Sequence, residues 1–227
     1  MNKQGNTYTV IYAVVLVVLV AAVLSVFAMW LQPRQRENIE DEKRQNILSS
    51  VKIEVKRDAS KQAFGKYIVE QFVVNAKGER VEGTAFTVDL AAQGAKACED
   101  KLLPVFVADI KGSRKYILPV YGYGLWGPIW GYISLNEDKS TIYGTVFDHS
   151  GETPGLGAEI TLPEFRGQFA DKTVFEQDKL VSIHIKKGKN SSGVHEVDAI
   201  SGGTLTSKGV EEMLKAYLGC YEAFLKK

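Results

Sequence analysis

A run of hydroxyl side chains and glycines near the end of the chain, from Asp198 to Ser207, has the composition of a phosphate-binding turn. It lies between an alternating apolar segment, Val194 to Ile200, and a segment with the pattern of an amphipathic helix. Glycines allow a backbone to approach a ligand closely. The free N–H groups at the start of a helix bind anions. The same composition is also typical of a strand-to-helix turn in which Ser or Thr caps the helix.

Two earlier segments combine glycines with aromatic or polar side chains. Gly122 to Gly131 contains two tryptophans, a pattern more typical of a sheet corner with packed rings than of a ligand site. Its Gly-x-Gly does not open a helix, which excludes a dinucleotide-binding fingerprint. Gly151 to Ile160 contains Pro154-Gly155, which indicates a tight turn, and its simplest interpretation is a surface loop between strands. Neither segment identifies a ligand by itself.

The later run resembles the flavinylation motif of the FMN-binding domain family. In that family the phosphate of FMN is esterified to the last threonine of the motif, which corresponds to Thr204 in Asp198-x-x-Ser201-Gly202-Gly203-Thr204. The family pattern usually reads Ser-Gly-Ala-Thr, so Gly203 is a departure that removes one methyl group and leaves the acceptor hydroxyl intact. The resemblance implies covalent FMN on Thr204, attached by a magnesium-dependent flavin transferase that takes FMN from FAD.

The order of the motifs along the chain narrows the resemblance. A Gly-Leu-Trp segment at Gly124, Glu-Thr-Pro-Gly-Leu-Gly at Glu152, the threonine motif and an amino-terminal apolar segment together resemble the family of C subunits of sodium-translocating NADH:quinone reductases. The family of G subunits of Rnf-type complexes shares several of these features and is the alternative. A cofactor-free membrane-anchored binding or assembly module is the alternative from a different functional class.

The resemblance implies roles for residues in all three segments. Leu125, Trp126 and Leu156 are expected to supply apolar surface for the flavin ring. Glu152 and Thr153 are expected to bind ribityl or ring atoms, and Asp198 to orient the motif or to be recognised by the transferase. Thr206 is expected to cap the last helix and line the phosphate, and Lys187 either to lie near the cofactor or to be a solvated surface lysine. The candidate cofactor-binding residues are Leu125, Trp126, Glu152, Thr153, Leu156, Gly157, Lys187, Asp198, Ser201, Gly202, Gly203, Thr204, Leu205 and Thr206.

Other chemistry finds little support in the sequence. Cys98 and Cys220 either form a disulfide or remain as two buried thiols. The three histidines, His149, His184 and His195, show no metal-ligand spacing. We find no Ser-His-Asp arrangement, paired catalytic carboxylates or P-loop, and the net charge of +1 argues against a nucleic-acid partner. A flavin-carrying electron-transfer protein needs no general acid or base, because the cofactor carries the chemistry.

The segment from Tyr8 to Leu31 contains no charged residue and exceeds the roughly 20 residues that span a bilayer. Tyr8, Tyr12 and Trp30 lie where interfacial aromatic residues are expected. A signal peptide cleaved after Val26-Phe27-Ala28 is the alternative, but such peptides have apolar cores of only about 7–15 residues. Counting basic residues on the two sides of the span places the large domain in the cytoplasm. The family resemblance instead implies export, and we adopt it.

The remaining pattern predicts an α+β fold, a mixed or antiparallel sheet with flanking helices, preceded by one transmembrane helix. Pro33 is expected to end the span. The other predicted elements are a short polar helix over Arg36 to Ser50, a helix over Ala59 to Val74, a strand over Val81 to Leu90, a small-residue connector over Ala91 to Ala97, short strands over Ile117 to Tyr121, Tyr132 to Leu135 and Ile142 to Phe147, and a final helix with one apolar face from Val210 to Leu225.

These elements predict four regions: a tail (1–7), a transmembrane helix (8–31), a helical linker (32–56) and an exported FMN-binding domain (57–227). The expected function is that of a single-pass subunit of the bacterial inner membrane whose domain lies on the periplasmic side. It would relay electrons among the other membrane subunits of the reductase without its own NADH or quinone site.

Overall fold

A computed structural model describes residues 6–188 and 191–227 of the chain. The chain divides into two compact units between Lys43 and Arg44. The helices are α1 (Asn6–Ser50), α2 (Arg57–Tyr67), α3 (Leu90–Gly94), α4 (Pro163–Arg166) and α5 (Thr204–Leu225). The strands are β1 (Ile68–Val74), β2 (Arg80–Val81), β3 (Leu103–Ile110), β4 (Ser113–Tyr123), β5 (Pro128–Leu135), β6 (Ile142–His149), β7 (Phe175–Glu176), β8 (Lys179–Leu180), β9 (His184–Lys186) and β10 (Glu196–Asp198).

The first unit consists of α1 up to Lys43, and its apolar part is long enough to cross a membrane. The 18 most apolar consecutive residues of α1 are not buried against any other part of the chain that the structure describes. The predicted helix over 36–50 is helical, but it is the continuation of α1 rather than a separate helix, because α1 runs without interruption through Pro33. The last turn of α1 belongs to the second unit, where Ile47 and Leu48 are fully buried.

The second unit is built on a six-stranded antiparallel sheet with the strand order β2-β1-β3-β4-β5-β6. One face packs against α5 through a cluster that includes Leu118, Val120, Leu214 and Leu218. The other face packs against Ile47 at the end of α1, against Val51 just after it and against α2, so strand β3 is buried on both sides. Beyond the sheet, β9 pairs in parallel with β10, and β7 forms a hairpin with β8. The fold is α+β with an antiparallel sheet and flanking helices, as predicted.

Helix α5 is attached to the sheet by polar and covalent links as well as by its apolar face. The hydroxyl of Tyr221 donates to the carbonyl of Pro104 in β3 at 2.7 Å, and full burial raises the pKa of this phenol well above its ordinary value. A disulfide joins Cys220 to Cys98 in the 3-10 turn Cys98–Asp100, which settles the pairing that the sequence left open. These links fix the helix whose N-terminus carries the threonine motif.

Several local predictions are confirmed and others are wrong. The predicted strands over 117–121, 132–135 and 142–147 lie within β4, β5 and β6, and the final helix is α5. The predicted helix over 59–74 ends at Tyr67, because β-branched residues from Ile68 onward pair with β3. The predicted strand over 81–90 ends at Val81, since Gly83 has a positive φ. The connector over 91–97 is mostly helix, because the Asp89 side chain accepts two backbone N–H bonds and caps α3.

Candidate functional site

Three segments that are far apart in the sequence meet at the N-terminus of α5. They are the β4–β5 turn with Leu125 and Trp126, the loop after β6 from Glu152 to Gly157, and the threonine motif from Gly202 to Thr206. Together they line a cleft of about 130 Å³. Eleven of the fourteen candidate residues line this cleft: Leu125, Trp126, Glu152, Thr153, Leu156, Gly157, Gly202, Gly203, Thr204, Leu205 and Thr206.

The hydroxyl groups of the motif have different environments. Thr204 is the first residue of α5, and its side chain is exposed. The Thr206 hydroxyl is buried and donates to Glu152 Oε2 at 2.6 Å, so this residue does not cap α5, contrary to prediction. Ser207 is also buried, and its Oγ accepts from the backbone N–H of Ile200 at 3.0 Å. Ser201 is exposed like Thr204 but lines a different groove, so of these hydroxyl residues Thr204 is the one that is both exposed and part of the cleft lining.

Glu152 connects the three cleft segments. It is only 5% exposed, and its two carboxylate oxygens accept bonds from different parts of the chain. Oε1 accepts from the backbone N–H of Trp126 at 2.8 Å, and Oε2 accepts from the Thr206 hydroxyl. Its own N–H donates to His149 Nδ1 at 3.2 Å. Sequence reasoning assigned this side chain to the cofactor, whereas the structure gives each of its oxygens a partner within the protein.

Glycines permit the close packing around this carboxylate. A Cβ at Gly157 would overlap both Glu152 Oε2 and Thr206 Oγ1, so a side chain there would displace the two groups that form this contact. Gly202 has a φ of +76°, which favours glycine, and turns the chain into the helix. A Cβ at Gly203 would lie 2.9 Å from Ile200 Cγ2 and 3.1 Å from the Leu156 carbonyl oxygen. The branched Ile200 side chain therefore occupies space that an alanine at 203 would need.

The rim of the cleft is apolar and open to solvent. Leu125 is 51% exposed, Trp126 69%, Leu156 44% and Leu205 60%. Such large apolar side chains gathered around one exposed hydroxyl indicate a site for an aromatic group. The N-terminus of the 22-residue helix α5 has a glycine as its N-cap, without a side-chain cap, and it carries a partial positive charge. The residues therefore fit a ligand that has a phosphate at one end and a flat ring system at the other.

The other three candidate residues lie outside the cleft. Ser201 lines a neighbouring groove of about 620 Å³ together with Gly155 and Ile200. Asp198 Oδ1 accepts from the Ser191 N–H at 2.8 Å, and its backbone N–H donates to Gln168 Oε1 at 2.8 Å. Gln168, which sequence reasoning missed, thus fixes the strand that leads into the motif.

Lys187, the remaining candidate, is exposed in the bend after β9, outside the lining of the cleft. In the part of the chain that the structure describes, no group of three or more His, Cys, Asp and Glu side chains is placed to hold a metal ion.

Comparison with known proteins places this arrangement in a family. Residues 124–219 match the FMN-binding domain family, and this range includes all three cleft segments. The C subunit of the Na(+)-translocating NADH-quinone reductase from Haemophilus ducreyi is 31% identical over 235 residues, covering 96% of this chain and 91% of the relative. The same protein from Vibrio vulnificus is 31% identical over 215 residues, covering 87% and 84%.

Solved structures agree with these relatives. The crystal structure of the C subunit of this reductase from Parabacteroides distasonis is 46% identical with a TM-score of 0.81, covering 87% of this chain and 98% of that one. Shewanella oneidensis NqrC is 25% identical with a TM-score of 0.70, covering 82% and 95%. The chain carries an FMN-binding domain and belongs to the family of C subunits of the Na(+)-translocating NADH-quinone reductase.

Proposed function

We propose that the chain is a membrane-anchored electron-transfer subunit that carries FMN on Thr204 through a phosphoester bond. The observation that carries this proposal is the contrast among the motif hydroxyls. Thr204 is exposed at the N-terminus of α5 and lines the cleft, whereas Thr206 and Ser207 are buried and hydrogen-bonded. Ser201 is exposed too, but it lines the neighbouring groove. The relatives are subunits of an NADH-quinone reductase, which supports a role in passing electrons between neighbouring subunits.

Attachment needs a nucleophilic oxygen and an anion-binding environment. The Thr204 oxygen forms a bond to the FMN phosphorus of FAD, the pyrophosphate bond breaks, AMP leaves with the bonding electrons, and the threonine proton is released. A partner transferase with magnesium would catalyse this step. The partial positive charge at the start of α5 favours the phosphate that results.

Leu125, Trp126 and Leu156 would exclude water from one side of the ring system, and the bound flavin supplies the electron-transfer chemistry.

Fluorescence on a denaturing gel tests this function. We expect the full chain, produced together with its transferase, to run as a band with flavin fluorescence after boiling in detergent. A cofactor-free binding module would show no such band, and a flavin held only by noncovalent contacts would be lost. A non-fluorescent band from protein that was yellow before denaturation would contradict covalent attachment.

Replacing Trp126 by Ala is expected to leave FMN attached but to alter its absorption spectrum and electron-transfer rate. The phosphoester does not involve the ring, and the bond from residue 126 to Glu152 uses the backbone N–H, which alanine retains. Trp30→Ala is the matched control, because Trp30 is similarly exposed but lies in the first unit of the chain. Loss of covalent flavin from a well-folded Trp126→Ala protein would contradict a role confined to the ring.

We also propose that α1 anchors the protein in the inner membrane and that the domain from Arg44 onward is exported. The apolar part of α1 supports a span by its length and composition. The disulfide between Cys98 and Cys220 supports the oxidising side of the membrane, because such bonds are rare in the cytosol. The count of basic residues on the two sides of the span predicts the opposite, a cytoplasmic domain. Long domains, however, can be exported despite basic flanking residues.

Protease accessibility distinguishes the two sides of the membrane. We expect the chain to fractionate with membranes, and its domain to be digested when protease is added to cells whose outer barrier has been permeabilised. A cytoplasmic protein in the same cells should stay intact as the control. If the domain resists protease until the cells are lysed, it lies in the cytoplasm.

A further inference from the structure

Glu152 is a buried carboxylate in the wall of the cleft, and its two oxygens accept from a backbone amide and a hydroxyl rather than from a basic side chain. The Trp126 N–H donates to one oxygen at 2.8 Å, and the Thr206 hydroxyl donates to the other at 2.6 Å. Hydrogen bonds to a charged acceptor are stronger than neutral ones, and removing one partner leaves a buried group unsatisfied. The carboxylate therefore joins the turn that carries Trp126 to the first turn of α5. These two hydrogen bonds offset part of the desolvation cost of burying the carboxylate.

The backbone around Glu152 is adapted to its carboxylate from both sides. A Cβ at Gly124 would overlap Oε1, and a Cβ at Gly157 would overlap Oε2. Gly124 also closes the β4–β5 turn, where its N–H donates to the Gly127 carbonyl at 2.8 Å. The carboxylate thus occupies a space that only glycines on either side leave open.

We propose that Glu152 is the positioning residue of the cleft and that its negative charge lowers the reduction potential of a flavin bound there. The positioning part follows from its contacts, because it fixes the backbone that carries Trp126 relative to the helix that carries Thr204. The electrostatic part rests on the proposed function. A negative charge in the wall of the site disfavours added electrons on a nearby flavin.

Two substitutions at Glu152 separate the effect of side-chain length from the effect of charge. Glu152→Asp keeps the charge but is one methylene shorter, so it cannot hold Trp126 and Thr206 together. Glu152→Gln keeps the length but removes the charge, and its amide can still accept from Trp126 N–H and donate to Thr206. Glu159→Gln is the matched control, because Glu159 lies in the same loop region but lines the neighbouring groove.

Hydrogen exchange on flavin-free full-length protein in detergent tests positioning. We expect the Trp126 amide to exchange about tenfold faster or more in Glu152→Asp, because one charge-assisted hydrogen bond is lost. Glu152→Gln should show a smaller change and Glu159→Gln none. Far-UV circular dichroism must show that each variant is folded. Equal exchange at Trp126 in Glu152→Asp and wild type would overturn the positioning role.

The midpoint potential of the flavin-loaded protein tests the charge. We expect Glu152→Gln to shift the midpoint to more positive values, by more than Glu159→Gln, whereas Glu152→Asp should not show the positive shift. No shift, a negative shift, or equal shifts in Glu152→Gln and Glu159→Gln would overturn the electrostatic role. If the wild type carries no covalent flavin, the proposed function fails, while the exchange experiment still decides whether Glu152 positions the turn.

Discussion

Thr204→Val is expected to fold normally and to carry no covalent FMN. Valine has nearly the shape of threonine but lacks the oxygen that would bond to phosphorus. Thr204 is exposed at the first position of α5. The N-cap of the helix is Gly203, without a side-chain hydrogen bond, so the substitution removes no capping interaction. Exposed substitutions of this kind change the free energy of unfolding by about 0.5 kcal/mol or less. The loss should therefore be confined to the cofactor.

The measurement is peptide mass mapping of protein produced together with the transferase. Wild-type peptide containing Thr204 should carry an added mass of one FMN less one water, and the Thr204→Val peptide should carry none. The gel fluorescence of the intact chain should disappear in parallel. A circular dichroism spectrum and an unfolding midpoint close to those of the wild type would show that the variant is folded.

Thr206→Val is the informative comparison, because Thr206 lies two residues further on and has the same side chain. The structure predicts that this variant keeps its flavin. It loses the hydrogen bond to the buried Glu152 carboxylate, so we expect its free energy of unfolding to fall by about 1–3 kcal/mol. An FMN adduct on Thr206, or one that persists in Thr204→Val, would overturn the assignment of the attachment site.

Most of the cleft is predictable from the sequence because its signals are local. Glycines mark all three segments, together with a tryptophan in the first and threonines in the other two, and the resemblance to a family is enough to join them into one site. The strands β4, β5 and β6 are predictable for a similar reason, since their alternating patterns lie between clear turns. The amphipathic pattern of α5 likewise stands in the sequence itself.

The elements that the sequence does not predict depend on contacts between distant residues. Ile68 to Val74 continues the helical spacing of the residues before it, and only its pairing with β3 shows that it is a strand. The partners of Glu152 lie 26 and 54 residues away, so the sequence could not show that its carboxylate binds the protein itself. Gln168 escapes sequence reasoning for the same reason, because its partner Asp198 is 30 residues further on.

Deleting residues 1–56 is expected to destabilise the domain severely, whereas deleting residues 1–43 should leave it folded. The sequence suggested a helical linker over 32–56, but Ile47 and Leu48 at the end of α1 and Val51 just after it belong to the core, each at most 1% exposed. The buried Ser134 hydroxyl donates to the Ser50 carbonyl at 2.6 Å, which fixes this turn to β5. Losing three buried apolar side chains costs about 5–8 kcal/mol, comparable to the whole stability of many domains.

Thermal unfolding of the two shortened proteins measures this difference. The chain from Arg44 should unfold cooperatively. The chain from Arg57 should either lack a cooperative transition or melt at least roughly 10 °C lower, since about 1 kcal/mol corresponds to 2–4 °C at this size. Within the longer protein, Leu48→Ala should cost about 2–5 kcal/mol, because Leu48 is fully buried. Leu102→Ala, at a site that is 38% exposed, is the matched control and should cost much less. Equal melting temperatures for the two shortened proteins would show that residues 44–56 serve only as a linker. A large difference would show that the end of α1 and the residues just after it are part of the folded domain.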